Sequence, residues 1–148
     1  MISSGSQKMK ISTLSFRTEG IEVEEGDGNR RYLAFFYLVD GQSFSLDEHY
    51  PADAFDVIDE AAELEELVVL LHCNCGYWEC SSLVANISEI SDGLIEWTVG
   101  VFQRPDLRYE PRKYYFMKNE YEQTMAEIHR IAKDEILRIE TSRKNNSD

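Results

Sequence analysis

The alternation of apolar and polar residues along the chain predicts most of its strands. From Ile95 to Val101 every second residue is apolar, as expected for a strand with one buried face. The aromatic run at 32–37 is apolar on both faces, which is typical of a central strand. The same reasoning, with the turn residues between the runs, predicts strands near 14–25, 31–39, 42–47, 82–90 and 94–103, with two further candidates at 67–72 and 113–117.

A period of three to four residues predicts two helices. The first is expected at 54–66, where Asp53 can cap the start and Phe55 and Leu64 fall on the apolar half. The second begins at Asn119, whose side chain can form a capping box with Glu122. Its apolar stripe consists of Tyr121, Met125, Ile128, Ile131, Ala132, Ile136 and Ile139.

Three Asp-Gly pairs separate the strand-forming runs, at residues 27–28, 40–41 and 92–93. Asp-Gly suits the positive φ angles of a two-residue type I′ hairpin turn. Hairpins followed by a late helix predict an α+β fold, a curved antiparallel sheet packed by two helices. The length of 148 residues predicts a single domain, with the polar segments 1–8 and 141–148 frayed.

Charge is distributed unevenly along the chain. The protein carries 28 acidic and 15 basic residues, for a net charge of −13. Between residues 32 and 103 there is no Lys or Arg, although this stretch holds 14 carboxylates, from Asp40 to Glu96. Solubility is one explanation, since net charge limits association. Attraction of a basic partner is the other.

The three cysteines form a cluster, Cys73, Cys75 and Cys80, directly after His72. Thiolates and imidazole are zinc ligands, so the cluster is a candidate metal site. Its spacing differs from the usual pair of C-x-x-C motifs. The adjacent residues His72 and Cys73 cannot easily both point at one ion, so a fourth ligand would otherwise have to be His49, His129 or a carboxylate. We therefore expect no cofactor. The alternative is a small zinc-binding domain, structural or regulatory, with zinc at Cys73, Cys75, Cys80 and His72. In the cytosol we expect reduced thiols, with Cys73 or Cys75 buried.

The C-x-C-G pattern, a third cysteine shortly after it, and a hairpin with a Trp on its second strand resemble small bacterial proteins. Among these, the size and acidity resemble immunity proteins of polymorphic or contact-dependent toxin systems. The resemblance covers about residues 67–121. It implies binding to a toxin and assigns no individual residue a role.

Other function classes receive little support from the sequence. There is no G-x-S-x-G elbow, P-loop or G-x-G-x-x-G motif, so we expect no enzymatic activity. No signal peptide or apolar run of membrane-spanning length is present, which predicts a cytoplasmic protein without a membrane partner. The acidic surface would repel nucleic acid. The basic cluster with tyrosines between Arg104 and Lys118 is a minor RNA-binding alternative.

The preferred interpretation is an acidic protein that neutralises a basic partner, such as an immunity protein against a cationic nuclease toxin. An acidic helix face can enter the basic cleft of a nuclease and gain speed from electrostatic steering. Aromatic side chains would supply the desolvated centre of the interface. The predicted partner-binding residues are Asp47, Glu48, Tyr50, Asp56, Asp59, Glu60, Glu63, Glu66 and Trp78.

Overall fold

A computed structural model describes residues 10–25, 28–73, 81–102 and 109–145 of the chain. The protein has an α+β fold built on a curled, antiparallel-rich sheet, as the sequence predicts. The strands of the described residues are β1 Ile11–Ser12, β2 Leu14–Glu25, β3 Gly28–Val39, β4 Gln42–Ser43, β5 His49–Pro51, β6 Leu67–Cys73, β7 Leu83–Ser91, β8 Leu94–Val101 and β9 Arg112–Met117. The helices are α1 Ala54–Val57, α2 Glu60–Leu64 and α3 Lys118–Asn145.

Six strands form one sheet in the order β1-β9-β8-β7-β6-β5, and β2-β3-β4 form a second. All pairs are antiparallel except β1 with β9, which run parallel. The antiparallel neighbours β6 to β9 follow one another in chain order, so no long crossover connection is needed between them.

The two sheets join at both ends, which curls the whole into a nearly closed layer. Thr13 separates β1 from β2, and its N–H donates to Asp40 Oδ1 while Asp40 N–H donates to the Thr13 carbonyl, both at 2.9 Å. On the other side, Phe35 N–H donates to the Ala52 carbonyl at 2.8 Å. These bonds satisfy backbone groups that would otherwise lie at open sheet edges.

The core fills the inside of this curled sheet. Trp97 of β8 is 0% exposed and meets the rings of Tyr37, Phe116 and Tyr121 edge-on, with centroids 6.2, 5.1 and 6.0 Å away. Its indole N–H donates to the Tyr121 hydroxyl at 3.0 Å, which satisfies a buried donor. The alternation predicted at 95–101 is confirmed, since Ile95, Trp97 and Val99 all face this core.

The long helix α3 covers the sheet, and its predicted apolar stripe is confirmed. Tyr121, Ile128 and Ala132 are buried in the core, and Met125, Ile131 and Ile136 pack at its edge. The helix continues to Asn145 and so includes part of the segment 141–148 that was expected to fray. Arg143 and Lys144 lie in the last turn, where cations interact favourably with the helix dipole. The segment 1–8, also expected to fray, lies outside the described residues, which begin at Lys10.

The hairpin turns agree only in part with the prediction. Asp40 and Gly41 both have positive φ, 51° and 82°, as a type I′ turn requires. At 92–93 only Gly93 has positive φ, 78°, and the register of β7 with β8 shifts between Glu89 and Ser91. A bulge therefore replaces the second left-handed residue there. Asp27 lies outside the described residues, and the strand predicted at 42–47 ends at Ser43.

The helix predicted at 54–66 is broken into two, which corrects the sequence interpretation. Asp59 has an extended backbone, with ψ of 118°, and its carboxylate accepts the Ala62 N–H as the N-cap of α2. Because the break changes the helical phase, Phe55 and Leu64, predicted on the buried half, are 44% and 85% exposed. Asp56, predicted on the solvated half, is 9% exposed. A wheel drawn across a cap cannot assign faces correctly.

Candidate functional site

A cleft of about 450 Å³ opens between the α1–α2 segment (residues 54–66), the strands β6 to β8 and the middle of α3. This volume lies in the range of sites that hold small ligands or a side chain of a partner. The floor of the cleft is apolar, and its lining includes Tyr37, Val57, Ala62, Leu67, Val68, Val69, Ile87, Ile95 and Met125.

The polar part of the lining is almost entirely acidic. It consists of Asp56, Asp59, Glu63, Glu66 and Glu89, with His129 of α3. The α1–α2 segment supplies the first four carboxylates because the break at Asp59 redirects the chain. Glu66 ends that segment with a φ of 54°, a left-handed conformation uncommon for a residue other than glycine. Its carbonyl accepts the Ile87 N–H at 2.9 Å, which helps to hold this backbone in place.

Three of the acidic groups on the α1–α2 side of the cleft form no ion pair with a basic residue of the described chain. Glu89 is paired with Lys118 at 3.0 Å, so its charge is largely balanced. No ion pair of the described chain includes Asp59, Glu63 or Glu66. The cleft therefore combines an apolar floor with several uncompensated negative charges.

Behind the cleft, Asp56 takes part in a buried polar network. Its Oδ2 lies 2.8 Å from His72 Nδ1 and accepts the Asp53 N–H at 3.0 Å. Asp53 in turn accepts the Asp56 N–H at 2.8 Å, which forms a capping box for α1, and pairs with the Arg30 guanidinium. Burial raises the pKa of Asp56, and the hydrogen bond from His72 opposes this rise.

The oxygens and nitrogen of Asp53, Asp56 and His72 lie within 4.8 Å of one another, close enough to hold a metal ion. Both oxygens of Asp53, Oδ2 of Asp56 and Nδ1 of His72 already form hydrogen bonds within the protein, however, with two backbone N–H groups and the Arg30 guanidinium among the donors. A cation would have to displace Arg30 from Asp53. The network thus acts as a structural ion pair and helix cap, in which His72 Nε2 is left without a hydrogen-bond partner.

Two buried polar atoms near this network lack a hydrogen-bond partner, His72 Nε2 and Ser82 Oγ. Leu71 of β6 pairs with Leu83 of β7, so the same register brings residues 72 and 82 to neighbouring positions. Asp56, His72 and Ser82 are the residue types of a nucleophilic triad, in which an acid orients a histidine base beside a serine nucleophile. Ser82 is 0% exposed, so a substrate has no access to its hydroxyl, and this arrangement is not a usable active site.

Of the described residues that line the cleft, only His129 is basic, and it is half-buried. Burial lowers the pKa of His129, while nearby Glu63 opposes this effect and Lys133 adds to it. The imidazole therefore favours its neutral form in the folded protein. The sequence pattern places His129 beside the apolar stripe of the last helix and does not connect it with the acidic segment, because the contact is tertiary.

The structure brings together four of the predicted partner-binding residues, Asp56, Asp59, Glu63 and Glu66, at the cleft. The others do not line it. Glu60 is exposed on α2, Asp47 and Glu48 are exposed before β5, and Trp78 lies outside the described residues. The Tyr50 ring faces His72 at 6.2 Å and its hydroxyl donates to the Glu24 carbonyl, so it is not a free aromatic anchor.

The cysteine cluster is described only at Cys73, which is buried as predicted and is disulfide-bonded. The expectation of reduced thiols was therefore wrong for Cys73. Cys75 and Cys80 lie outside the described residues. A sulfur held in a disulfide cannot act as the thiolate that zinc requires. His72, the fourth zinc ligand of the alternative, instead directs Nδ1 to Asp56.

A second cavity, of about 490 Å³, lies at the β4 end of the molecule. Its lining mixes both charges, with Lys10 and Arg112 opposite Asp40, and includes Tyr109 and Tyr114. Because Lys10 already pairs with Asp40 at 3.4 Å, Arg112 alone gives this cavity an excess charge, a single positive one. The acidic cleft is thus the better candidate site.

Comparison with protein-family models, curated proteins and solved structures finds no match to the chain. Among the described residues, no helix is both long and apolar enough to span a bilayer. Function must therefore be argued from the cleft itself.

Proposed function

We propose that this chain is an acidic binding protein that neutralises a basic protein partner, as an immunity protein does against a cationic, nuclease-type toxin. The observation that carries the proposal is the cleft, where Asp59, Glu63 and Glu66 lie beside an apolar floor and form no ion pair within the described part of the chain. A nuclease must attract phosphate, so its active-site surface is basic and complementary to such a cleft.

The apolar floor matters as much as the charge. Interfaces gain most of their affinity from a desolvated central group surrounded by polar contacts, and charge mainly increases the association rate. A cleft lined by Val57, Ile87 and Met125 offers such a centre. A surface that only kept the protein soluble would need no apolar depression beneath its carboxylates.

The distribution of the ion pairs also supports a role in binding. Four carboxylates have basic partners that come from outside the stretch that lacks basic residues. The pairs are Asp40 with Lys10, Asp53 with Arg30, Glu89 with Lys118 and Glu96 with Lys113. The α1–α2 carboxylates receive no such partner among the described residues. Their mutual repulsion costs a few tenths of a kcal/mol for each close pair. A basic partner would relieve this cost.

The proposal is tested with the protein encoded beside this one. An immunity function requires a neighbouring gene for a secreted protein with a basic C-terminal domain. We expect an equimolar amount of this chain to abolish the nuclease activity of that domain. The double variant Asp59→Asn with Glu63→Gln should slow association about tenfold at low salt, and less as salt rises. Stopped-flow fluorescence measures both rates.

The matched control removes the same two charges elsewhere. Glu24→Gln with Glu140→Gln changes two carboxylates that lie outside the cleft lining, and should leave the association rate within about twofold of the wild type. Equal slowing by both double variants would show that only net charge matters. Full nuclease activity in the presence of excess wild-type protein would overturn the proposal.

A further inference from the structure

The cleft restricts the chemistry of its occupant to an amphipathic cation. Its walls combine buried apolar side chains, such as Val68 and Ile95, with the carboxylates of Asp59, Glu63 and Glu66. An apolar group alone would leave these carboxylates uncompensated, and a small hydrated cation would leave the floor uncovered. Long basic side chains satisfy both requirements because an apolar stem carries a charged head.

The uncompensated charges lie on one side of the cleft. Glu89, on the β7 side, is already neutralised by Lys118, whereas Asp59, Glu63 and Glu66 all belong to the α1–α2 segment. Glu66 keeps its place there with a φ of 54°, a left-handed conformation uncommon for a non-glycine residue. The head of an occupant should therefore face α1–α2, with its stem against Ile87 and Met125.

Several carboxylates that approach from one side favour a guanidinium over an ammonium. A guanidinium presents five N–H donors in a planar fork and can bond more than one carboxylate at once. It is also more weakly hydrated than an ammonium, so less free energy is lost when it enters a partly apolar cleft.

We infer that the cleft receives a single arginine side chain of the partner, with the guanidinium on Asp59, Glu63 and Glu66 and the stem on Ile87 and Met125. This inference rests on the proposed function and specifies its central contact. Such an arginine would be an energetic hot spot, because arginine is among the residues that dominate interface energies.

The direct test uses small probes that mimic parts of an arginine side chain. Titration with n-butylguanidinium, followed by the methyl NMR signals of Met125 and Ile87, should give saturable shifts with a millimolar dissociation constant. Methylguanidinium lacks the stem and n-butylammonium lacks the fork, so each should bind several-fold more weakly. The absence of saturable shifts at Met125 and Ile87, or equal binding of all three probes, would overturn the inference.

A cation attached to the cleft itself provides the second test. Met125→Lys places an ammonium among the carboxylates at a partly buried position, and should abolish the response of Ile87 to n-butylguanidinium. A cooperative thermal transition shows that the variant is folded. Leu137→Lys makes the same change in charge at an exposed position of the same helix and should bind the probe as the wild type does. Unchanged binding by Met125→Lys would contradict an arginine in this cleft.

The outcomes separate this inference from the proposed function. If the Met125→Lys variant inhibited the neighbouring nuclease as well as the wild type does, the arginine contact alone would be overturned. Probe binding in the cleft, combined with full nuclease activity in the presence of this chain, would overturn the proposed function, and the inference would fall with it.

Discussion

At the scale of single residues, tertiary neighbours and burial shift the pKa values of several side chains. Tyr121 illustrates this, since burial raises its pKa to about 12 while the indole of Trp97, 24 residues away in the chain, donates a hydrogen bond that opposes the rise. Tyr37 also has a raised pKa because it is fully buried. Both phenols therefore stay neutral, which suits a core that contains no basic partner for them among the described residues.

His129 should make stability depend on pH in a predictable direction. Its pKa is lowered in the folded state, so at pH values just below 6.5 the unfolded chain binds the proton more readily. The stability contributed by the neutral imidazole is therefore present above about pH 6.5 and is lost as pH falls toward the lowered value. We expect His129→Gln to lose less melting temperature than the wild type between pH 7.5 and 5.5, measured by thermal denaturation.

The comparison isolates His129 because His49 and His72 are present in both proteins. The raised pKa of Asp56 acts with the opposite sign, since a carboxyl with a raised pKa loses stability as pH rises above its unfolded value. That effect is also common to both proteins. Identical pH profiles for wild type and variant would contradict the role assigned to His129.

At the scale of elements, the break between α1 and α2 places the acidic groups at the cleft. Asp59 caps α2 through a hydrogen bond of 3.0 Å from the Ala62 N–H, so it has a structural role in addition to its charge. Asp53 does the same for α1. Short capped helices in sequence allow one segment to send Asp56 inward and Glu63 toward the cleft, which a continuous helix would not.

Two substitutions at one position separate these roles. Asp59→Ala removes the cap and should lower the free energy of unfolding by about 1 kcal/mol. Asp59→Asn keeps an oxygen that can accept the Ala62 N–H, so it should cost less than about 0.5 kcal/mol. Urea denaturation measures both. If Asp59→Asn destabilised the protein as much as Asp59→Ala, the carboxylate charge would be essential to the fold, and the association experiment would need another position.

For the whole molecule, the net charge of −13 predicts that added salt stabilises the fold. Raising NaCl from about 10 mM to about 150 mM shortens the Debye length from about 30 Å to about 8 Å and screens the repulsion among carboxylates. We expect the melting temperature to rise by a few degrees. The variant Asp59→Asn with Glu63→Gln should show a smaller rise. A melting temperature that falls with salt would indicate that the surface ion pairs outweigh the repulsion.

The sequence by itself determined the elements with a strong local signal. The alternation at 95–101 and the stripe of the last helix are set by which side chains must leave water, and this information is contained in the spacing of the residues. The acidic stretch and four carboxylates of the cleft could also be identified, because composition alone reveals an excess of one charge.

Only the tertiary structure decided which of these residues meet. His129 and Glu89 join Glu63 and Glu66 at one cleft although they lie far apart in the chain, and no local pattern encodes that contact. Asp56 is buried because the N-cap at Asp59 breaks the helix and His72, 16 residues later, offers a hydrogen bond. Local periodicity assigns a residue to a face of its own element, whereas the neighbour of that face depends on how the sheet closes.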